Sequence, residues 1–127
     1  MELIRANEMA ALRNTGVESR QLLTQANSAS ARLTITRVVM TSGAVNPRHA
    51  HTSSEQVWIA LLGEATLLLG DGRTESLGAG DVVRFAEHDV HGAENVGTVP
   101  FEYIAVTSPP VDFSSAYRKD WTAANAQ

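Results

Sequence analysis

The sequence predicts an all-β protein, a sandwich or barrel, and three observations carry that reading. Roughly eight short β-rich runs follow one another at a spacing of about 8–12 residues. Turn residues, mostly Gly, Asp and Pro, separate them. No internal repeat of solenoid type and no second composition regime divides the chain. Its 127 residues are 43 % hydrophobic and 19 % charged, which suits one globular domain. A chain of this length buries roughly two-thirds of its unfolded surface, enough for a core without staples.

The elements follow in order. Residues 1–31 are the least regular and read as an N-terminal arm. Asn7 caps a short helix over Glu8 to Arg13, with Gly16 near its end, and Val17 to Leu23 forms a strand. Asn27-Ser28-Ala29-Ser30-Ala31 is a loop. From Arg32 the period becomes two. Leu33, Ile35, Arg37 and Val39 share one face, and Thr34, Thr36 and Val38 the other. Thr41-Ser42-Gly43 breaks that strand. Gln56 to Leu62 and Glu64 to Leu69 are strands on either side of Gly63. Gly70-Asp71-Gly72 is a hairpin turn, because two Gly flank an Asp where positive φ is needed. Arg73 to Leu77 returns, and Gly78-Ala79-Gly80-Asp81 turns again. Val82 to Phe85, Val90 to Asn95 and Phe101 to Val106 complete the set, and Pro109-Pro110 ends it. The barrel thus spans 32–107. The tail, 108–127, carries a short outer helix over Tyr117 to Ala124, with Phe113, Tyr117 and Trp121 as its apolar stripe. That stripe docks on the barrel or forms a lid over its mouth.

Composition excludes several functions. With no cysteine, disulfides, thiolate metal sites and a cysteine nucleophile are ruled out, and a cytoplasmic location fits. The net charge is −4 and the basic residues are scattered, so no nucleic-acid partner is expected. Nine of the ten basic residues are Arg, and Lys119 is the one Lys. The N-terminus lacks a signal-peptide pattern, and no apolar run approaches the ~18–20 residues of a membrane span.

All four histidines fall in two clusters. His49 and His51 are two apart, which in a strand puts both rings on one face. His88 and His91 come about forty residues later, and a barrel brings His91 opposite the first pair. Three imidazoles and one oxygen hold a divalent first-row metal and leave two positions of an octahedron open. The plainer reading of such a pair is a surface or hydrogen-bonded role.

These residues resemble the two sequence motifs of the cupin superfamily. The first, G-x5-H-x-H-x(3,4)-E-x6-G, is matched by Gly43, His49, His51, Glu55 or Gln56, and Gly63. The second, G-x5-P-x-G-x2-H-x3-N, is matched by Gly80, His91 and Asn95, with Ala86 at the Pro position and His88 at the Gly position. The match covers about residues 32–107. The resemblance implies a double-stranded β-helix, or jelly-roll barrel, a metal inside it, and a homodimer. It places His49, His51 and His91 as metal ligands.

The fourth ligand is open. Counting forward from His51 reaches Glu55, and counting back from Gly63 reaches Gln56. Adjacent strand residues face opposite ways, so only one looks inward. The short strand to Gly63 favours Gln56; a bulge at Thr52-Ser53-Ser54 would favour Glu55. With Glu, a divalent site keeps a charge of about +1. With Gln it stays near +2, binds metal less tightly and makes it more Lewis acidic.

No catalytic group stands out. Tyr103, His88 and Glu55 are the weak candidates, each with a structural alternative as core, turn or outward-facing residue. Arg37 and Arg84 are inward anion anchors or, more simply, exterior salt-bridge residues. Arg48 points away from the His face. Trp58 shares the parity of Gln56 and lines the cavity or fills the core. Asn95 fits a turn. The expected function is a metal-dependent enzyme on a small oxygen-rich molecule. Its reaction class is dioxygenase-like, isomerase or lyase, and its metal iron, manganese, nickel or zinc. The alternative is a non-catalytic ligand-binding or sensor barrel. The Val17 to Leu23 segment is expected to help dimerisation by pairing with a partner's sheet edge.

Overall fold

A computed structural model describes residues 1–124, and the last three residues of the tail lie outside it. Ten strands form: β1 (Ala11–Asn14), β2 (Val17–Leu23), β3 (Thr34–Met40), β4 (Val45–His49), β5 (Glu55–Leu62), β6 (Glu64–Leu68), β7 (Thr74–Gly78), β8 (Val82–Phe85), β9 (His91–Glu94) and β10 (Phe101–Ser108). They build a six-stranded sheet in the order β1-β2-β3-β10-β5-β8 and a four-stranded sheet in the order β4-β9-β6-β7. All pairings are antiparallel. The two sheets face each other across the core, as the all-β reading requires.

Alternation places the core. Phe101, Tyr103, Ala105 and Thr107 of β10 point inward, as do Gln56, Trp58 and Ala60 of β5. Ala65, Leu67, Leu77 and Ala93 meet them from the smaller sheet. Trp58 stacks on Tyr103 at 4.2 Å between ring centres and meets Phe85 edge-on at 5.2 Å. Burying one such aromatic contributes roughly 1.5–3 kcal/mol. On β3 the hydroxyl-bearing face looks inward: Thr34, Thr36, Val38 and Met40 are buried. Ile35 and Val39 flank an exposed Arg37 on the outer face. Two threonines therefore occupy positions that hydropathy alone would give to Ile and Val.

The N-terminal segment departs from expectation twice. The helix over Glu8 to Arg13 is absent; a 3₁₀ turn covers Ala6–Glu8 and β1 follows. The run is too short to hold a helix without a packed face, and Gly16, at φ +69, lets it fold back onto β2 as a hairpin. β2 also does not offer itself to a partner's sheet. It pairs with β3 along one edge and β1 along the other, so both of its edges are used within the chain.

The tail is not one helix either. A 3₁₀ turn at Ala116–Arg118 precedes a single α-turn, α1 (Trp121–Ala124). The segment is pinned to the barrel by Asn14, whose Nδ2 donates to the carbonyls of Tyr117 (3.0 Å) and Lys119 (2.8 Å). Trp121 is buried, and its Nε1 donates to the Ala116 carbonyl at 3.0 Å. Asn95 ties the other side together: Nδ2 donates to the carbonyls of Met40 and Val99, and Oδ1 accepts from the Gly97 N–H. That is the turn role expected for it. Among the described residues no helix is long and apolar enough to cross a membrane.

Candidate metal centre

His49 ends β4 and His91 opens β9, and the two are cross-strand partners. Their approach depends on Gly92. A Cβ there would lie 2.5 Å from the Asn46 carbonyl oxygen and 2.8 Å from the Pro47 carbonyl carbon, closer than any side chain tolerates. His51 lies just beyond β4, so strand alternation alone does not aim it. Its carbonyl accepts the backbone N–H of His88 at 2.8 Å, which fixes the segment. The three ring centres lie 4.3 Å (His49–His91), 5.1 Å (His49–His51) and 5.1 Å (His51–His91) apart. One nitrogen from each falls within 4.8 Å of the others.

Hydrogen bonding fixes two of the tautomers. His49 Nδ1 is 2.8 Å from the Pro47 carbonyl and His91 Nδ1 2.9 Å from the Asp89 carbonyl. A carbonyl only accepts, so each Nδ1 carries the proton and each Nε2 presents a bare lone pair. His51 Nε2 is buried with no hydrogen-bond partner. Burial, the largest cause, lowers the pKa of all three rings. His51 falls to about 4 and His91 to about 3, each lowered further by the His49 charge, and His49 also falls. The rings are therefore neutral at pH 7, the form in which imidazole binds a metal.

Gln56 is buried beside them. Trp58 Nε1 donates to Gln56 Oε1 at 2.7 Å, and Gln56 Nε2 donates to Thr107 Oγ1 at 2.8 Å. An indole N–H only donates, so the amide orientation is set. Oε1 then lies 3.2 Å from His91 Nε2, with lone pairs on both atoms. A cation between them resolves that opposition. A buried orphan nitrogen, two bare Nε2 atoms and a facing amide oxygen fit a divalent transition metal.

The remaining candidates divide cleanly. Glu55 faces away from the cavity and pairs with Arg84 at 2.7 Å on the outer surface, so the bulge that would have turned it inward does not form. His88 is exposed in a turn at φ 71 and its ring is not among the cavity walls. Neither reaches the histidines as a catalytic group. Arg37 pairs with Glu102, outside the barrel. Arg48, expected to point away from the histidines, donates through Nε to the Leu69 carbonyl at 2.8 Å and is among the residues that line the cavity. Tyr103 does line the cavity. Its hydroxyl accepts from Asn46 Nδ2 at 3.3 Å, and burial holds its pKa well above 10. It is thus a neutral phenol that donates but does not act as a base.

The cavity encloses about 280 Å³ between the histidines and the tail. Phe113, Tyr117 and Trp121 of the tail form part of its wall, and Phe113 meets His51 edge-on at 5.8 Å. Three further polar wall residues, Ser19, Thr36 and Asn46, and the buried Thr107 that bonds Gln56, escaped sequence reasoning. The inward parity of Thr36 with Val38, and of Thr107 with Tyr103, is the signal that would have found two of them.

Comparison with known proteins follows the geometry. Three solved structures share the fold. KdgF from Halomonas sp. is 21 % identical, with a TM-score of 0.74 over 88 % of this chain and 96 % of that one. A predicted oxalate decarboxylase from Thermotoga maritima is 23 % identical, with a TM-score of 0.73 over 85 % and 99 %. The polyketide cyclase RemF from Streptomyces resistomycificus is 22 % identical, with a TM-score of 0.73 over 85 % and 79 %. At these identities the likeness concerns the fold, a jelly-roll barrel. No curated protein matches the sequence. The family model of the cupin domain matches residues 36–107, more than half of the chain, and the protein belongs to the cupin family.

Proposed function

We propose that this cupin is a metal-dependent enzyme acting on a small oxygen-rich molecule, with His49, His51, His91 and Gln56 holding a divalent ion. The observation that carries the reading is the buried His51 Nε2, without a partner, beside two imidazoles whose bare Nε2 atoms converge on it. Iron, manganese, nickel or zinc suits an imidazole-rich site. Such an ion supplies Lewis acidity toward a substrate oxygen and, where redox-active, chemistry with dioxygen. The chain's own residues supply the surroundings. Trp58 and Thr107 fix the Gln56 amide, Phe85 stacks on His91 at 4.2 Å, and Tyr103 offers a phenol proton to a substrate oxygen. Trp121 and Phe113 add apolar surface to the wall. Two of the similar structures bear enzyme names, a polyketide cyclase and a predicted oxalate decarboxylase, which supports an enzyme over a passive barrel.

A second reading, a non-catalytic ligand-binding or sensor barrel, draws on one observation. Glu55 and His88 lie outside the cavity and Tyr103 is held neutral, so apart from Asp120 no base other than imidazole lines the cavity among the described residues. The test is to incubate metal-loaded protein with a panel of small hydroxy, oxo and enol acids. Oxygen uptake and product formation are followed beside His91→Ala. Turnover lost in the variant supports the enzyme. Ligand binding by calorimetry with no turnover for any loaded metal supports the binding barrel instead.

A further inference from the structure

The inner end of the cavity is built without negative charge. Its donors are three imidazoles and the Gln56 amide, none of which carries a negative charge. The amide cannot turn its other atom inward, because Trp58 and Thr107 hold both ends. The carboxylates adjacent in sequence to these donors are committed elsewhere: Glu55 to Arg84 on the outside, and Asp89 Oδ2 to the Ala86 N–H at 2.8 Å in an exposed turn. Among its described walls the cavity sets Arg48 and Lys119 against the one carboxylate of Asp120, so its charged lining also leans positive. A divalent ion held here keeps nearly its full charge within an aromatic, poorly solvating wall of Trp58, Tyr103, Phe113 and Trp121. An uncompensated charge in such surroundings is costly, and the missing counter-charge has to arrive with the ligand.

We propose that this centre selects anionic ligands, and that its substrate is a small organic anion of the carboxylate class. The anion's charge replaces the one that Gln56 does not bring, and its carbon part lies against the aromatic wall. The inference rests on the metal-centre reading above and adds the charge of the substrate to it.

The experiment uses the full chain loaded with Co²⁺, whose visible absorption reports ligand exchange. Lactate is compared with lactamide, and mandelate with mandelamide. Each pair shares its shape and differs in charge. Wild type is expected to bind each anion at least about tenfold more tightly than its amide. Carboxylates outbind amides on many cations, so the deciding comparison is Gln56→Glu. That change keeps both contacts, since the Thr107 hydroxyl can rotate to donate, and adds the charge the site lacks. Gln56→Glu should bind Co²⁺ more tightly and cut the anion-to-amide ratio by about tenfold. An unchanged ratio in the variant overturns the proposal, as does a Co²⁺ site that takes none of the four compounds. A wild-type protein that fails to take up Co²⁺ overturns the metal centre itself. Co²⁺ uptake without charge preference overturns only this inference.

Discussion

Two acceptors converge on the imidazole of His91, the Asp89 carbonyl at 2.9 Å and Gln56 Oε1 at 3.2 Å. A neutral ring has one proton and satisfies only one of them. Charging the ring would satisfy both, yet burial and the neighbouring His49 push its pKa down to about 3. A consequence for pH follows from the direction of these shifts. The unfolded chain protonates its histidines near pH 6.5, whereas His51 and His91 in the fold resist until about 4 and about 3. Between pH 6.5 and about 4 the unfolded state therefore binds more protons, and the fold loses stability as pH falls. Chelator-treated protein should show a urea midpoint that is level above pH 7 and declines from 6.5 to 4.5, with a shallower decline for His51→Asn. Metal uptake should stay level to about pH 5, because protons compete with the ion only near the lowered pKa values. A loss of uptake centred near pH 6.5 would show histidines in ordinary, solvated surroundings. That His49, His51 and His91 come together was legible from the motif resemblance, and their rings do converge. The orientation of Gln56 was not, because it depends on Trp58 and Thr107, two residues that no local pattern links to it.

β4 and β9 carry two of the three histidines, and their separation is set by Gly92. Replacing it with Ala drives a methyl group into the Asn46 and Pro47 backbone. Gly92→Ala should cost roughly 1–3 kcal/mol in stability and lower metal stoichiometry, because His91 moves away from His49. Thermal unfolding and elemental analysis check the two effects. A variant with full metal content would mean that strand spacing does not position the ligands. At this scale the strands from β3 onward, β4 apart, were readable from period-two patterns and from glycine turns; Val45–His49, with Pro47 inside it, did not read as a strand. The first hairpin was not readable either. Ala11–Asn14 alternates too weakly to announce a strand, and Gly16, taken for a helix end, is the hairpin turn. Nor was the inward face of β3 legible. Thr34 and Thr36 are both buried and Thr36 lines the cavity, a surface that exists only once the opposite sheet is in place. The four-residue steps of Phe113, Tyr117 and Trp121 foresaw a shared surface but the wrong backbone, since all three reach the cavity without forming one helix.

Across the whole molecule, the outer face of the six-stranded sheet remains apolar where β5 and β8 meet. Ile59 and Val82 are register partners, 38 % and 62 % exposed, and Leu61 follows on the same face at 43 %. The edges of β2 are used within the chain, while β1 and β8 lie at the edges of the sheet; we propose that a homodimer forms through this apolar face. Ile59→Lys should then convert the dimer to a monomer in sedimentation velocity with the fold intact by circular dichroism. An unchanged sedimentation coefficient would remove this face from the interface. The barrel's central feature is the histidine-lined cavity, and the metal content of tag-free protein tests it most directly. Elemental analysis of wild type beside His51→Ala, both reconstituted with iron, manganese, nickel or zinc and then desalted, should give about one ion per wild-type chain and a small fraction of that in the variant. Wild type that retains no metal, or a variant that retains as much as wild type, would contradict the account.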